Sequence, residues 1–386
     1  MRGRRALPSG RLARLGATLH FHHGLLSCPA VSTPVLLSYG WGPFFAEAFA
    51  PYAPEGLVPG RVTREHRGLL RVQAEDAEYV AEVAGRLRHE ARGRADLPAV
   101  GDWVALRRPV QGLRATVQAV LPRRSRFARK AAGEEHDAQV AAANVDTVFL
   151  VTGLDRDFNL RRIERYLVLA WESGARPVVL LNKADLSEDA EDARAQVEAV
   201  AAGAPVHVIA AREGRGLEAL LPYLQPRQTI ALLGSSGAGK STLLNRLAGT
   251  EQATREVRAS DSRGRHTTTH RQIFVLPQGA LMVDTPGMRE LQLWEAESGI
   301  EAAFDDVEAL GAACRFTDCA HGAEPGCAVQ AAVAEGRLDA GRFESYLKLR
   351  REQEHVSLEQ DKRARSEANR KLRSLHRLAR RHNPRG

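Results

Sequence analysis

The sequence predicts a multidomain chain: an N-terminal OB-like β-barrel, a central doubly wound α/β domain of permuted P-loop type, and a C-terminal, mainly helical part that binds zinc. Three observations carry this. Short strand runs separated by turns fill residues 57–130, longer apolar strands alternate with helical segments from about 144, and three cysteines and a histidine crowd into residues 314–327. At 386 residues the chain is long enough for two or three domains with a substantial core. Aromatics are only 5% of residues, so those cores must rest on Leu, Val, Ile and Ala.

Residues 1–46 contain no acid and include Arg2, Arg4, Arg5, Arg11 and Arg14, a pattern that admits a transit peptide. A disordered extension over 1–35, or an early start codon, is the preferred reading, and the isolated Cys28 is given no role. The barrel is expected over 36–130. Its strand runs are Val62-Thr63, Leu69–Val72, Tyr79–Val83, Trp103–Leu106 and Ala115–Val120, and turns such as Glu65–Gly68 and Leu97–Gly101 separate them. At the barrel's exit, Arg123, Arg124, Arg126, Arg129 and Lys130 surround Phe127. Cations with an interleaved aromatic suit a phosphate-contacting edge; a solvated linker is the alternative.

Between 131 and 298 the pattern becomes α/β. Asp146–Thr152, Pro177–Leu181, Pro205–Ala210, Thr229–Leu233 and Leu281–Asp284 read as buried parallel strands. Leu160, Ile163, Tyr166, Leu167 and Ala170 recur at helical spacing between the first two, which makes the domain doubly wound.

The order of the motifs is the most informative feature of this domain. Asn182-Lys183-Ala184-Asp185 comes first, Gly234-Ser235-Ser236-Gly237-Ala238-Gly239-Lys240-Ser241 follows, and Asp284-Thr285-Pro286-Gly287 comes last. A pocket needs its residues to converge in space and not in sequence, so a circularly permuted GTPase is implied. Glycines let backbone N–H groups wrap phosphates, Lys240 neutralises the β/γ oxygens, Ser241 can ligate Mg²⁺, and Thr242 is counted with the nucleotide-binding residues. Asp185 can accept from guanine N1 and N2, Asn182 can address the O6/N7 edge, and Lys183 packs along the base; adenine, an acceptor at N1, is rejected. Asp284 is placed near Mg²⁺ and the Gly287 N–H near the γ-phosphate.

Thr267, Thr268 and Thr269 offer further hydroxyls for Mg²⁺; Thr268 is taken as the candidate, while the sequence leaves the choice open. Met288 follows Gly287, and a thioether cannot orient an attacking water, so slow hydrolysis by the isolated protein is expected. His266 is the best local substitute for that task, with a basic residue touching RNA or solvent as the alternative.

Beyond 299, Cys314-x4-Cys319-x-His321-x5-Cys327 supplies three thiolates and an imidazole. Zn²⁺ favours such a closed tetrahedral set, and the site should be structural, since it has no evident open position. From 361 to 386, ten Lys/Arg face only Asp361 and Glu367, a tail suited to RNA contact or to a solvated helix. A net charge of +8 and a pI near 9.6 favour a polyanionic partner, and no apolar run of about 18 residues suggests a membrane span.

On these motifs, with Pro59-Gly60-Arg61-Val62 and Gly264-Arg265-His266-Thr267-Thr268-Thr269, the chain resembles the ribosome small subunit-dependent GTPase A family, RsgA/YjeQ, over roughly 36–360. The resemblance implies an OB domain, a circularly permuted GTPase domain and a zinc domain. It also implies GTP/GDP binding and late small ribosomal subunit maturation on 16S rRNA, as a monomer in the cytoplasm, with hydrolysis promoting release. Where the family commonly has a Ser-Ala-like base-supporting motif, this chain has Val208-Ile209-Ala210-Ala211, so the serine's support is missing. An RNA-binding module using GTP as a structural ligand, or a permuted GTPase of large-subunit assembly, are the alternatives.

Overall fold

The computed structural model describes residues 34–66, 68–110, 114–130, 138–155, 157–249, 271–284, 296–322 and 324–358. Cys28 and the N-terminal extension, His266, Thr267, Thr268, Thr269, Gly287, Met288 and the 361–386 tail lie outside the described residues.

Helices α1 (Pro34–Ser38) and α2 (Pro43–Phe49) precede five strands: β1 (Val58–His66), β2 (Leu69–Ala74), β3 (Glu78–Val83), β4 (Trp103–Arg107) and β5 (Ala115–Val120). They pair in the order β1-β2-β3-β5-β4, and β4 returns to β1, which closes the barrel. Only β3 and β5 run parallel. Alternation along each strand turns Val62, Leu70, Val72, Val104, Leu106 and Val117 inward, and all are buried. Trp41, Phe45 and Phe49 make a second apolar layer on Trp103, with the Trp41 and Trp103 rings 4.8 Å apart. Helix α3 (Gly85–Glu90) follows β3.

A hairpin of β6 (Arg126–Lys130) and β7 (Ala138–Ala143) leads out of the barrel. Here the structure corrects one expectation. Phe127 is buried in the large apolar core and not interleaved with cations on a surface. Arg123 is likewise committed: its guanidinium meets the fully buried Asp102 carboxylate at 2.7 and 2.8 Å. Burial drives the Asp102 carboxyl upward in spite of that cation, so the pair is an internal knot.

The α/β part follows: β8 (Thr147–Gly153), α4 (Leu160–Ser173), β9 (Arg176–Asn182), α5 (Ala190–Glu198), β10 (Val206–Val208), β11 (Thr229–Leu233), α6 (Lys240–Ala248), β12 (Arg271–Val275) and β13 (Leu281–Asp284). The order is β10-β9-β8-β11-β13-β12, parallel except for β12. Covered on both faces, β8 is buried along its whole length, as its unbroken apolar run requires. Strand β12 was not expected. It pairs antiparallel with β13 on one side and with β1 on the other, so barrel and α/β sheet form one 11-stranded sheet. Arg271 on β12 reinforces the join through Glu65 at 3.0 Å.

Arg61 ties the same two parts from within. Its guanidinium donates to the carbonyls of Tyr39, Gly101 and Asn144 and to Thr229 Oγ1, and lies over the Trp103 ring. Burial pushes it down to about 10, still protonated at neutral pH.

The C-terminal part contains α7 (Glu297–Ala303), α8 (Asp305–Gly311), α9 (Ala328–Ala334) and a helix α10 over 340–358. It docks on α4. Arg342 reaches Glu164 at 3.2 Å and Asp306 at 2.6 Å, Arg165 grips Glu352 with both nitrogens, and Glu172 accepts from the Gly299 N–H. Ile163, Leu167 and Val168 share one core with Ile300, Phe304 and Tyr346 beneath this polar rim. Among the described residues no helix is long and apolar enough to cross a membrane.

Candidate functional site

Strands β9 and β10 lie to one side of β8, and β11 and β13 to the other, so the chain reverses its direction of travel across the sheet between β8 and β11. Crevices at such switch points, outside the carboxyl ends of parallel strands, are where open α/β sheets bind ligands. The predicted motifs sit there. Asn182 ends β9, Gly234 follows β11, and Asp284 ends β13.

The phosphate loop runs from Gly234 to Lys240, where α6 begins. Two of its glycines are required by geometry. Gly239 has φ +98, and a Cβ there would lie 2.2 Å from Asn182 Nδ2; Gly234 has φ +157, and its Cβ would lie 2.2 Å from the Val151 carbonyl. Ala238 is buried beneath the loop, while Ser236 and Gly237 are exposed at its tip. Lys240 Nζ donates to the carbonyls of Gly234 (2.7 Å) and Ser235, which folds the loop around its own cation. Ser241 and Thr242 stand exposed in the first turn of α6, and Leu243, Leu244 and Leu247 anchor the other face. The N-terminus of α6 thus lies at the crevice, the end of a helix that suits an anion.

Asn182 joins the parts. Its Nδ2 donates to the Ala238 carbonyl at 2.9 Å and its Oδ1 accepts from the Ala211 N–H at 3.0 Å. One buried amide thereby holds the phosphate loop, the end of β9 and the 208–211 stretch in register. That stretch lacks the serine, and its Ala211 N–H is engaged by Asn182. Lys183 occupies the left-handed region at φ 65, and Asp185 follows it in a short 3₁₀ turn over Ala184–Leu186.

Sequence reasoning missed two carboxylates in the turn after β8. Asp155 pairs with Lys183 Nζ, and Asp157 accepts from Ser235 Oγ and from Arg162. The Lys183 ammonium holds the Asp155 carboxyl below the usual carboxylate range. At Asp157 burial pushes upward, but the bonds from Arg162 and Ser235 outweigh it, and the net shift is again down. The available signal was position: an Asp-x-Asp leaving a buried strand that neighbours the phosphate-loop strand.

The Cys/His set also converges. Side-chain ligand atoms of Cys314, Cys319, His321 and Cys327 lie within 4.8 Å of one another, an arrangement able to hold a metal ion. Cys314 Sγ is 3.9 Å from Cys327 Sγ, and His321 Nδ1 is 3.6 and 3.5 Å from those two sulfurs. The N–H groups of Ala328 and Gln330 point at Cys314 and Cys327, and Gln330 Nε2 fixes the His321 turn through two carbonyls. Such outer contacts orient ligands and favour thiolates.

Comparison with known proteins agrees with this architecture. The family model for the RsgA GTPase matches residues 120–294. The small ribosomal subunit biogenesis GTPase RsgA of Opitutus terrae is 53% identical over 332 residues, covering 83% of this chain and 90% of that protein. The protein of the same name from Syntrophotalea carbinolica is 45% identical over 351 residues, covering 89% and 96%. Among solved structures, YjeQ from Thermotoga maritima aligns at a TM-score of 0.58 and 28% identity, over 77% of this chain and 98% of that one. The circularly permuted GTPase YloQ aligns at 0.54 and 24% identity over 78% and 96%, which speaks to fold alone.

Proposed function

We propose, since this chain belongs to the RsgA GTPase family, that it hydrolyses GTP to GDP and phosphate in the biogenesis of the small ribosomal subunit. The observation that carries the reading is the Asn182 amide, which brings a base-reading tetrapeptide and a phosphate loop into one crevice in spite of their inverted order. In this reading Asp185 accepts from guanine N1 and N2, and the Lys183 stem lies along the base. The backbone N–H groups from Gly234 to Ser241 wrap the phosphates, and Lys240 leaves its loop carbonyls for the β/γ oxygens. Ser241, Asp284 and Thr268 are the residues that would hold Mg²⁺, which neutralises charge on the phosphates when bound. Gly287 would donate to the γ-phosphate and His266 would position the attacking water.

The Cys/His set is read as a structural zinc site. Tetrahedral Zn²⁺ with bonds of about 2.3 Å to sulfur and about 2.0 Å to nitrogen implies edges of about 3.8 Å between sulfurs and about 3.5 Å from sulfur to nitrogen. The separations of 3.9, 3.6 and 3.5 Å among Cys314, Cys327 and His321 fit, and the Cys319 sulfur lies within 4.8 Å of the other three ligand atoms. With parts at 36–130, 131–298 and 299–386, the chain would work as a cytoplasmic monomer on 16S rRNA, a target that its +8 charge suits.

Co-sedimentation with purified small subunits tests this reading. Binding is expected with a non-hydrolysable GTP analogue, and weakened binding with GDP. Equal binding with both, or none with either, would contradict it.

A further inference from the structure

The turn after β8 contains none of the motifs that mark the nucleotide crevice, yet it touches both of the central ones. Asp155 holds the Lys183 ammonium, and the two side chains are only 31% and 25% exposed. Lys183 passes directly above the strand end, because a Cβ on Gly153 would lie 3.4 Å from its Cδ and 2.8 Å from Asp155 Oδ1. The Lys183 side chain is therefore laid across this turn by its ammonium end, which fixes the course of the stem between. Asp157 accepts the Ser235 hydroxyl and is itself held by Arg162 in the first turn of α4. Asn159 caps that helix, accepting the Arg162 N–H at 3.0 Å. The turn is thus pinned at the helix end and grips the base-reading and phosphate loops at its other side.

We propose that Asp155 and Asp157 are positioning residues for guanine-nucleotide binding, Asp155 acting through Lys183 and Asp157 acting through Ser235 of the phosphate loop. This rests on the nucleotide reading above and adds to it a support that no motif marks. A flexible lysine free to swing pays for its ordering out of binding energy; one held by a carboxylate is ordered beforehand. The hydroxyl of Ser235 does the same for a loop whose tip, at Ser236 and Gly237, is exposed. Both carboxylates reach the nucleotide only through another residue, so neither is assigned a chemical step.

Fluorescence titration of the full-length, metal-loaded protein with a fluorescent GDP analogue tests the proposal. Asp155→Asn is expected to raise Kd about three- to tenfold, the scale of one partly exposed charge-assisted contact. The loss should shrink to less than about twofold in a Lys183→Ala background, because contacts that act through one another are not additive. Asp155→Glu, which keeps the charge, should recover part of the affinity. Asp157→Asn and Ser235→Ala should each weaken binding and show the same coupling. Wild-type-like affinity in Asp155→Asn, or the same fold-loss with and without Lys183, would overturn the role of Asp155; additive losses for Asp157 and Ser235 would overturn that of Asp157. A wild-type chain that binds no GDP would instead overturn the nucleotide reading itself, and this inference with it.

Discussion

The nucleotide crevice and the Cys/His cluster are both sets of polar side chains brought together by loops, but they are held in opposite ways. In the crevice nearly every group has a protein partner: Asn182 bonds Ala238 and Ala211, Lys240 bonds Gly234 and Ser235, Lys183 meets Asp155, and Ser235 meets Asp157. In the cluster, three sulfurs and an imidazole nitrogen aim at one another, and thiols are weak hydrogen-bond partners. The first site is organised by its own bonds, of which the proposed reading exchanges only those from Lys240 to its loop carbonyls. The second is a set of four electron-rich atoms able to hold a cation at their centre, which would keep them together.

The largest expected effect follows from that difference. Chelation, or Cys327→Ser, should unfold the connections among α8, α9 and α10 while the crevice survives. Hydrogen exchange should lose protection across 305–349 and keep it across 229–248, and GDP should still bind. Loss of protection in both regions at once would merge the two sites into one cooperative unit.

Lys240→Ala strikes the other side of the comparison. It should lower phosphate release about 100- to 1,000-fold, the usual cost of removing one group aimed at developing charge, and leave the exchange pattern of 305–349 unchanged. Arg61 offers a third case, a protein-only knot like the crevice but fully buried. Arg61→Met strands the Thr229 hydroxyl and three carbonyls, and should cost about 2–4 kcal/mol in urea unfolding. An effect of about 100-fold on subunit-stimulated turnover, the lower end for a positioned side chain of this kind, is expected for His266→Ala if that imidazole positions the water; unchanged turnover would remove it from the mechanism.

The smallest effect concerns pH. The Asp155 carboxyl is lowered chiefly by the Lys183 bond, from an ordinary value of 3.8. Its stabilisation is therefore fully present above about pH 4 and lost only as pH falls through the lowered value. Nucleotide affinity should show no Asp155-dependent change between about pH 5 and pH 8, and Asp155→Asn should differ from wild type by a constant factor across that range.

Much of this was legible in the sequence because the signals were local. A phosphate loop between a strand and a helix, Asn182 at a strand end, and thiols at short spacing each carry their own geometry. Four of the barrel strands were readable from alternation and turns, close to their observed bounds, whereas the nine-residue β1 was read only at Val62-Thr63. What escaped was order imposed from elsewhere. Strand β12 is a five-residue piece that exists because β1 and β13 flank it. Asp155 and Asp157 look like ordinary turn residues until β8 is placed beside β11. Phe127, amid five cations, read as a surface aromatic, although the hairpin turns it into the core. Charge density along a chain says nothing about which face a strand presents, and the pairing of β6 with β7 decides that here.

The most direct test of the central claim is phosphate release from GTP by the metal-loaded protein, measured alone, with isolated small ribosomal subunits and with isolated large ones. Slow turnover alone and strong stimulation by the small subunit only are expected. Stimulation by the large subunit instead, or tight GTP binding that neither subunit converts into phosphate release, would contradict the reading of this chain as a GTP-hydrolysing factor of small-subunit biogenesis.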